Sequence, residues 1–343
     1  MTPTRVSTRP PQHPHPEIMT AVRRYRLAAF CTALVVAAAV PGVTPAQDAT
    51  PNHWLDKMAR AVQTASYEGT VIRIQNNTVE ALKVVHTVTD GVVREKVIVQ
   101  EGNGIEIIRN GNEVQCILPD KRSVLVEEWN DQSALFSSLP SGSIRFGNEY
   151  DVSIVREERV AGRKAVELAI RPHDEYRFGH RIWLDMETGF PLQTKLVAQD
   201  GAALEQVKFA DIVLGEDIHA SAFDPSISTE NFRWFTQPKR KVTHIVDSAW
   251  QSDDLPSGFR VVSTHEENLS GRDITVTHIL YSDGLANVSV FIEPASDDRK
   301  VARQSSVGSS NSYSVETDGF RVTAVGEVPA ATVEKIATSM RPN

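Results

Sequence analysis

The sequence predicts an α+β protein: a strongly curved antiparallel half-barrel sheet packed by helices, followed by a smaller C-terminal antiparallel sheet domain with a terminal helix. Three observations predict it. Short apolar segments closed by turn pairs such as Asp90-Gly91, Asn103-Gly104, Asn110-Gly111 and Pro119-Asp120 recur from residue 70 to 128 and again from 150 to 214, the pattern of antiparallel meanders. Stretches with a helical period are few. The strand pattern breaks between 226 and 241 and then resumes. A chain of 343 residues exceeds the usual size of one domain, so the break is read as a linker, 228–241, between domains at 47–227 and 242–343.

The chain opens with an address. Arg23, Arg24 and Arg26 precede an apolar run from Leu27 to Val40, which leads into Pro41-Gly42 and Thr44-Pro45-Ala46. These are the charged, apolar and small-residue parts of an export signal. Residues 1–46 are therefore read as a signal peptide with its true start at Met19, and Gln47 as the mature N-terminus. The other reading, a membrane anchor, needs roughly 20 apolar residues, more than the run supplies. The chain is thus not an integral membrane protein on this reading. Cys31 follows Ala28-Ala29-Phe30, and a bulky Phe in that place is wrong for lipid attachment. Loss of the segment removes five Arg and one Glu and takes the formal net charge from −8 to −12. With an aromatic content of 7%, so acidic a protein is a poor partner for nucleic acid.

The first mature element is a helix over 52–67, with Asn52 as its cap, Leu55, Met58, Val62 and Ala65 as its stripe, and Gly69 as its stop. Strands follow at 70–75, 79–88, 92–99, 105–109, 113–118 and 122–128. Strand parity puts Thr70, Ile72 and Ile74 on one side of the first, Val93, Val97 and Val99 on one side of the third, and Val114, Cys116 and Leu118 on one side of the fifth. One side of this sheet must be covered, and the helix is the simplest cover. Cys116, the one cysteine left in the mature chain, is expected to be a buried free thiol that only packs. Asn130–Leu139 is a short helix candidate stopped by Pro140. Strands at 150–160, 163–171, 177–185, 191–199 and 204–214 bring the total to nine to eleven.

The connector Phe232-Arg233-Trp234-Phe235-Thr236-Gln237-Pro238-Lys239-Arg240-Lys241 mixes aromatics with a basic triplet, so Trp234 or Phe235 should be anchored in a domain surface or in a partner. The second unit has strands near 242–247, 259–266, 273–281, 286–293, 312–317 and 320–326, hairpins at Asp283-Gly284 and Asp318-Gly319, and a Ser/Gly-rich loop at 305–314. It closes with a helix opened by Pro329 whose stripe is Val333, Ile336, Ala337 and Met340.

Chemistry is hard to find. None of the eight histidines beyond residue 46 falls in a HExxH pattern, and no Gly-x-Ser-x-Gly elbow or phosphate-cradling loop is present. His173-Asp174-Glu175 with His180 has no recognised ligand spacing and reads as a solvated loop. Glu127, Glu128, Asp185 and Glu187 are carboxylates of the sort any acidic protein offers. No catalytic, metal or cofactor site is predicted.

One constellation is more specific. Trp183-Leu184-Asp185-Met186-Glu187-Thr188-Gly189-Phe190-Pro191-Leu192, preceded by Val160-Ala161-Gly162-Arg163-Lys164-Ala165-Val166, resembles the paired-strand signature of the LolA/LolB-like lipoprotein-carrier fold. Leu255-Pro256-Ser257-Gly258-Phe259, Tyr281-Ser282-Asp283-Gly284-Leu285 and Val325-Gly326-Glu327-Val328-Pro329 are similar, in order and spacing, to the C-terminal domain of the MucB/RseB family, and Trp54-Leu55-Asp56-Lys57-Met58 to its first helix. The resemblance covers nearly all of 52–341. It implies a periplasmic negative regulator of sigma-E signalling that is no enzyme. Such a regulator binds the periplasmic part of a membrane anti-sigma factor (RseA/MucA-like) and shields it from site-1 proteolysis. It is released by a lipid or lipopolysaccharide-like ligand. On that reading Ile72, Ile74, Val97, Val99, Val114 and Leu118 form the ligand face. Trp234, Phe235, Lys239, Arg240, Lys241 and Tyr281 would meet the partner, the basic triplet facing an acidic segment. A periplasmic carrier of lipids or lipoproteins is the alternative; it would use the same sheet but has no evident need of residues 242–343.

Overall fold

Apolar residues on one parity of the strands and one stripe of the first helix meet in a single core. In the computed structural model, which describes residues 50–128, 147–215, 217–236, 242–245, 248–268, 274–295 and 303–343, α1 spans Pro51–Thr64. Its cap is Thr50, whose side chain accepts a hydrogen bond from the His53 amide (3.3 Å), with Pro51 in the first turn. The expected cap, Asn52, lies inside the helix, because Pro at the first position leaves no donor to satisfy there. The helix ends at Thr64. Gly69 belongs to the next strand, where a Cβ would stand 2.4 Å from the Asp211 carbonyl oxygen.

The large sheet has twelve strands. In chain order they are β1 (Tyr67–Gln75), β2 (Thr78–Thr89), β3 (Val92–Val99), β4 (Glu106–Asn110), β5 (Glu113–Leu118), β6 (Ser123–Glu128), β7 (Tyr150–Val160), β8 (Arg163–Pro172), β9 (Gly179–Asp185), β10 (Pro191–Val197), β11 (Ala203–Leu214) and β12 (Arg233–Thr236). Their spatial order is β12-β6-β5-β4-β3-β2-β1-β11-β10-β9-β8-β7. Positive φ at Asn76, Asn77, Asp90 and Gly91 fits the tight turns of the first hairpins. Among the described residues the sheet is open, with β12 and β7 as its edges. It is mixed, because β12 pairs with β6 in parallel. That strand falls in the segment read as a linker. The expected 130–139 helix and the 1–46 signal, with Met19, Cys31 and the Gln47 start, lie outside the described residues.

α1 docks on one face of the sheet. Trp54, Leu55 and Met58 pack with Tyr67, Val71, Val84, Leu168, Ile182, Phe190 and Phe209, each large side chain contributing about 1.5–3 kcal/mol on burial. The opposite face is covered over β3 to β6 by residues 217–232, which lead into β12. Phe232 packs on Ile108, Ile117 and Val124. The buried Lys96 ammonium lies 3.7 Å from Glu106 and donates to Ser226 Oγ (2.8 Å), while the Ser226 amide donates to Glu106 (2.9 Å).

The smaller sheet is antiparallel. It comprises β13 (Val242–His244), β15 (Arg260–Asn268), β16 (Thr275–Ser282), β17 (Asn287–Pro294), β20 (Phe320–Gly326), β19 (Ser310–Thr317) and β18 (Gln304–Val307), in that spatial order. β14 (Trp250–Ser252) pairs separately with β21 (Met340–Pro342). The stretch 305–314, expected to be a loop, is a hairpin whose turn is relieved by Gly308 at φ 66°. α2 (Ala330–Thr338) follows Pro329 and buries Val333, Ile336 and Ala337; Met340, expected on its stripe, has passed into β21 but shares the same core.

Candidate functional site

Cross-strand partners share a face of a sheet, and the register traces one row across eight strands. It runs Ile212, Gly69, Val84, Val97, Ile107, Cys116, Leu125, Phe235. Val84 and Val97 are buried beneath α1; Ile107, Cys116 and Leu125 are half-buried; Phe235 is 50% exposed. The row therefore leads from the core to the sheet edge. Val99 and Leu118, both half-buried, lie on the same face, one pair further along their strands. On the other side the row is bounded by buried polar groups. His86 Nδ1 is 3.0 Å from Glu95 Oε2, its ring stacks on Tyr67 at 4.8 Å, and Arg109, paired across the strands with Glu95 and Val114, donates from Nε to the Gly111 carbonyl (2.7 Å).

Four of the six expected ligand-face residues, Val97, Val99, Val114 and Leu118, are thus brought together. Ile72 and Ile74 are not. In β1 the buried parity is Tyr67, Gly69 and Val71, which turns Ile72 and Ile74 to the opposite face, Ile74 being 36% exposed. Cys116 is a free thiol but only half-buried, since its stretch of the face lies beyond the reach of α1. Burial first, and then the Glu127 carboxylate, raise its pKa above the ordinary value.

Of the expected partner contacts, Trp234 and Phe235 are both exposed on β12, with the Arg233 guanidinium 5.8 Å from the Phe235 ring centre. Tyr281 is not at a surface. It is 1% exposed in the smaller sheet's core, donates to Met340 Sδ (3.5 Å) and is pushed up to about 12 by burial. Its hydroxyl is satisfied internally, so it cannot meet a partner. Lys239, Arg240 and Lys241 lie outside the described residues.

A contact that sequence reasoning missed joins the two sheets. Arg177, 0% exposed, places Nε 2.5 Å from Asp283 Oδ2, bonds Asp174 and the Ser257 carbonyl, and lies between the rings of Tyr150 and Phe259. Tyr150 donates to the same Asp283 oxygen (2.8 Å), while Asp283 Oδ1 accepts the amides of Leu285 and Ala286. Each guanidinium nitrogen and each Asp283 oxygen has a partner, as a buried pair requires. Beside it the 173–180 segment lines a cavity of about 690 Å³. Burial pushes His180 down to about 4, against the pull of Asp283, and the hydrogen bond to Asp151 raises His173. No group of three metal-ligating side chains occurs among the described residues.

The sequence matches two family models, the MucB/RseB N-terminal domain over residues 50–227 and the MucB/RseB C-terminal domain over 244–341. The chain belongs to the MucB/RseB family. It is 32% identical to the sigma factor AlgU regulatory protein MucB of Pseudomonas aeruginosa, over 90% of this chain and 96% of that one. It is 26% identical to the sigma-E factor regulatory protein RseB of Escherichia coli K12, over 87% and 91%. Among solved structures, the Pseudomonas aeruginosa MucA/MucB complex matches with a TM-score of 0.65 at 31% identity, covering 85% of this chain and 99% of that one. Its relatives are thus sigma-factor regulatory proteins.

In this MucB/RseB chain the Trp183–Leu192 signature is a docking turn. Asp185 Oδ1 accepts the Glu187 and Thr188 amides (3.1 and 2.8 Å) and Thr188 Oγ1, and its other oxygen accepts from Arg163 Nε (2.7 Å). Burial opposes the charge, but bonds from Arg163 and Thr188 hold the carboxyl below its ordinary value. The turn receives α1: Lys57 Nζ donates to the Met186 carbonyl (2.8 Å), and Gly189, at φ 80°, leaves room for the Lys57 stem.

Proposed function

We propose that this chain is a periplasmic regulator that binds the periplasmic part of a membrane anti-sigma factor, shields it from site-1 proteolysis and lets go when a lipid or lipopolysaccharide-like ligand arrives. The observation that carries this reading is the continuous apolar row from Val84 to Phe235. Acyl chains laid over Val97, Val99, Val114 and Leu118, in the manner of a half-barrel closing on its cargo, reach Phe235 along the same row. Trp234 and Phe235, with Lys239, Arg240 and Lys241 after them in sequence, supply an aromatic and basic contact for an acidic segment. The ligand face and the partner face are adjacent, so one can displace the other. Membership in a family of regulatory proteins and a solved relative bound to MucA support the partner class. No helix among the described residues is long and apolar enough to cross a membrane. The protein acts by binding rather than catalysis.

Titration of the mature chain with the anti-sigma factor's periplasmic segment, with and without lipopolysaccharide, tests this. The expected result is a complex that resists the site-1 protease and weakens as lipid saturates. A chain that binds lipid but no segment, and passes the lipid to an acceptor, would be a carrier instead.

A further inference from the structure

Among the described residues β12 is an edge strand with an open side. In a parallel ladder, alternate residues turn both their N–H and C=O toward the same neighbour. The Arg233 amide donates to the Arg122 carbonyl (2.9 Å), so Arg233 and Phe235 bond β6, whereas Trp234 and Thr236 point their backbone groups outward, where no strand pairs among the described residues. All four residues are exposed. Natural sheets usually guard such edges with charge. The opposite edge does so, with Arg156, Glu157, Glu158 and Arg159 in succession along β7; β12 carries Arg233 alone and presents two aromatics, Trp234 at 51% and Phe235 at 50% exposure. These two flank the edge on opposite faces, Trp234 in register with Val124 and Phe235 with Leu125. The surrounding charge has a direction. Lys121, Arg122 and Arg233, all exposed, cluster where β12 begins, and Glu127 and Glu128 lie past the position where it ends.

We propose that β12 is a strand-addition site: an extended peptide segment, acidic where it lies beside Arg233 and apolar where it passes Trp234 and Phe235, pairs with it as a thirteenth strand. The occupant is the anti-sigma factor's periplasmic segment, and the proposal rests on the functional reading above. Main-chain bonds to Trp234 and Thr236 set the register, and the two aromatics grip alternate side chains of the guest, as in other strand additions. Four residues span about 13 Å, so the guest contributes a short stretch of some four to six residues. Ligand on the apolar row competes for Phe235, one of the two aromatic grips.

Amide hydrogen exchange on the full mature chain, alone and saturated with the segment, reads this directly. The Trp234 and Thr236 amides should exchange fast in the free protein and about tenfold or more slower in the complex, while those of Arg233 and Phe235, already bonded to β6, change little. Thr236→Pro deletes one outward N–H, a substitution edge strands tolerate, and should weaken segment binding about tenfold, whereas Thr236→Val should keep it. A complex that forms with unchanged exchange at 234 and 236, or equal affinity of Thr236→Pro and wild type, overturns strand addition and leaves the regulator reading standing. Failure of the wild type to bind the segment overturns both. Slowed exchange that appears with protein concentration alone makes a second copy the occupant and also overturns the proposal. Should Thr236→Pro misfold by circular dichroism, the wild-type exchange data decide.

Discussion

Cys116 is the residue through which the apolar row can be watched. It sits between Ile107 and Leu125, half-buried and unpaired, with a thiol whose pKa is raised by burial and then by Glu127. The thiolate is the reactive form, so raising the pKa lowers reactivity at neutral pH. At pH 7.5 the native thiol should react with maleimide more than about tenfold slower than in urea, and its rate should climb as pH rises through the ordinary thiol range. An acyl ligand seated on the row should slow it further; a ligand that binds without doing so would lie elsewhere. Parity in the sequence located Val97, Val99, Val114 and Leu118 on this face but misplaced Ile72 and Ile74. In β1 the buried parity holds Gly69 and Arg73 alongside Tyr67 and Val71. Without a side chain at Gly69, where the Asp211 carbonyl comes close, alternation reads one residue out of step, and a one-residue slip exchanges the faces. Tyr281 misled for a different reason: its hydroxyl is satisfied by Met340 sulfur inside the core, which residue type alone does not reveal.

Among elements, the Asp185–Phe190 turn was the most legible, because its chemistry is local. The carboxylate that caps it, the threonine that returns the bond and the glycine at positive φ lie within five residues. Gly189 has a second duty, since a Cβ there would stand 2.5 Å from Lys57 Cγ, on the helix it receives. Gly189→Ala should therefore cost about 1–3 kcal/mol, backbone strain adding to displacement of Lys57. Urea denaturation measures it, and Lys57→Ala in the same background should recover part of the loss. An unchanged midpoint would mean that α1 does not press on this turn. β12 was illegible by comparison. Four residues are too few for a period, and their partner β6 lies far back in the chain and runs parallel, so no hairpin signal announces the pairing. Trp234 and Phe235 stand out in the sequence only as aromatics in a connector, and the edge they flank exists only once the 217–232 segment has crossed the opposite face and been fixed there by Lys96, Glu106 and Ser226.

For the molecule as a whole, the proposed regulation requires ligand and partner to feel each other, and two routes are available. One is local, along the row to Phe235. The other passes through Arg177 and Asp283, which tie the 173–178 segment to the turn after β16. The sequence could not show this second route, because a buried ion pair between residues so distant in the chain leaves no periodic trace. Linkage requires that a ligand weakening the partner by some factor be weakened by the same factor in the complex, with typical couplings of about 1–3 kcal/mol. Phe235 is half exposed, so Phe235→Ala should barely move the melting temperature. Asp283→Asn leaves Arg177 buried beside a neutral amide and should cost about 3–5 kcal/mol of stability. If the row carries the coupling, Phe235→Ala brings the lipid-dependent change in segment affinity close to zero, and Asp283→Asn, measured well below its melting temperature, preserves it. Titrating the segment with and without saturating lipid for each variant gives both numbers. The opposite pattern, coupling kept by Phe235→Ala and lost by Asp283→Asn, would assign the signal to the contact between the sheets and reduce the row to a binding surface alone.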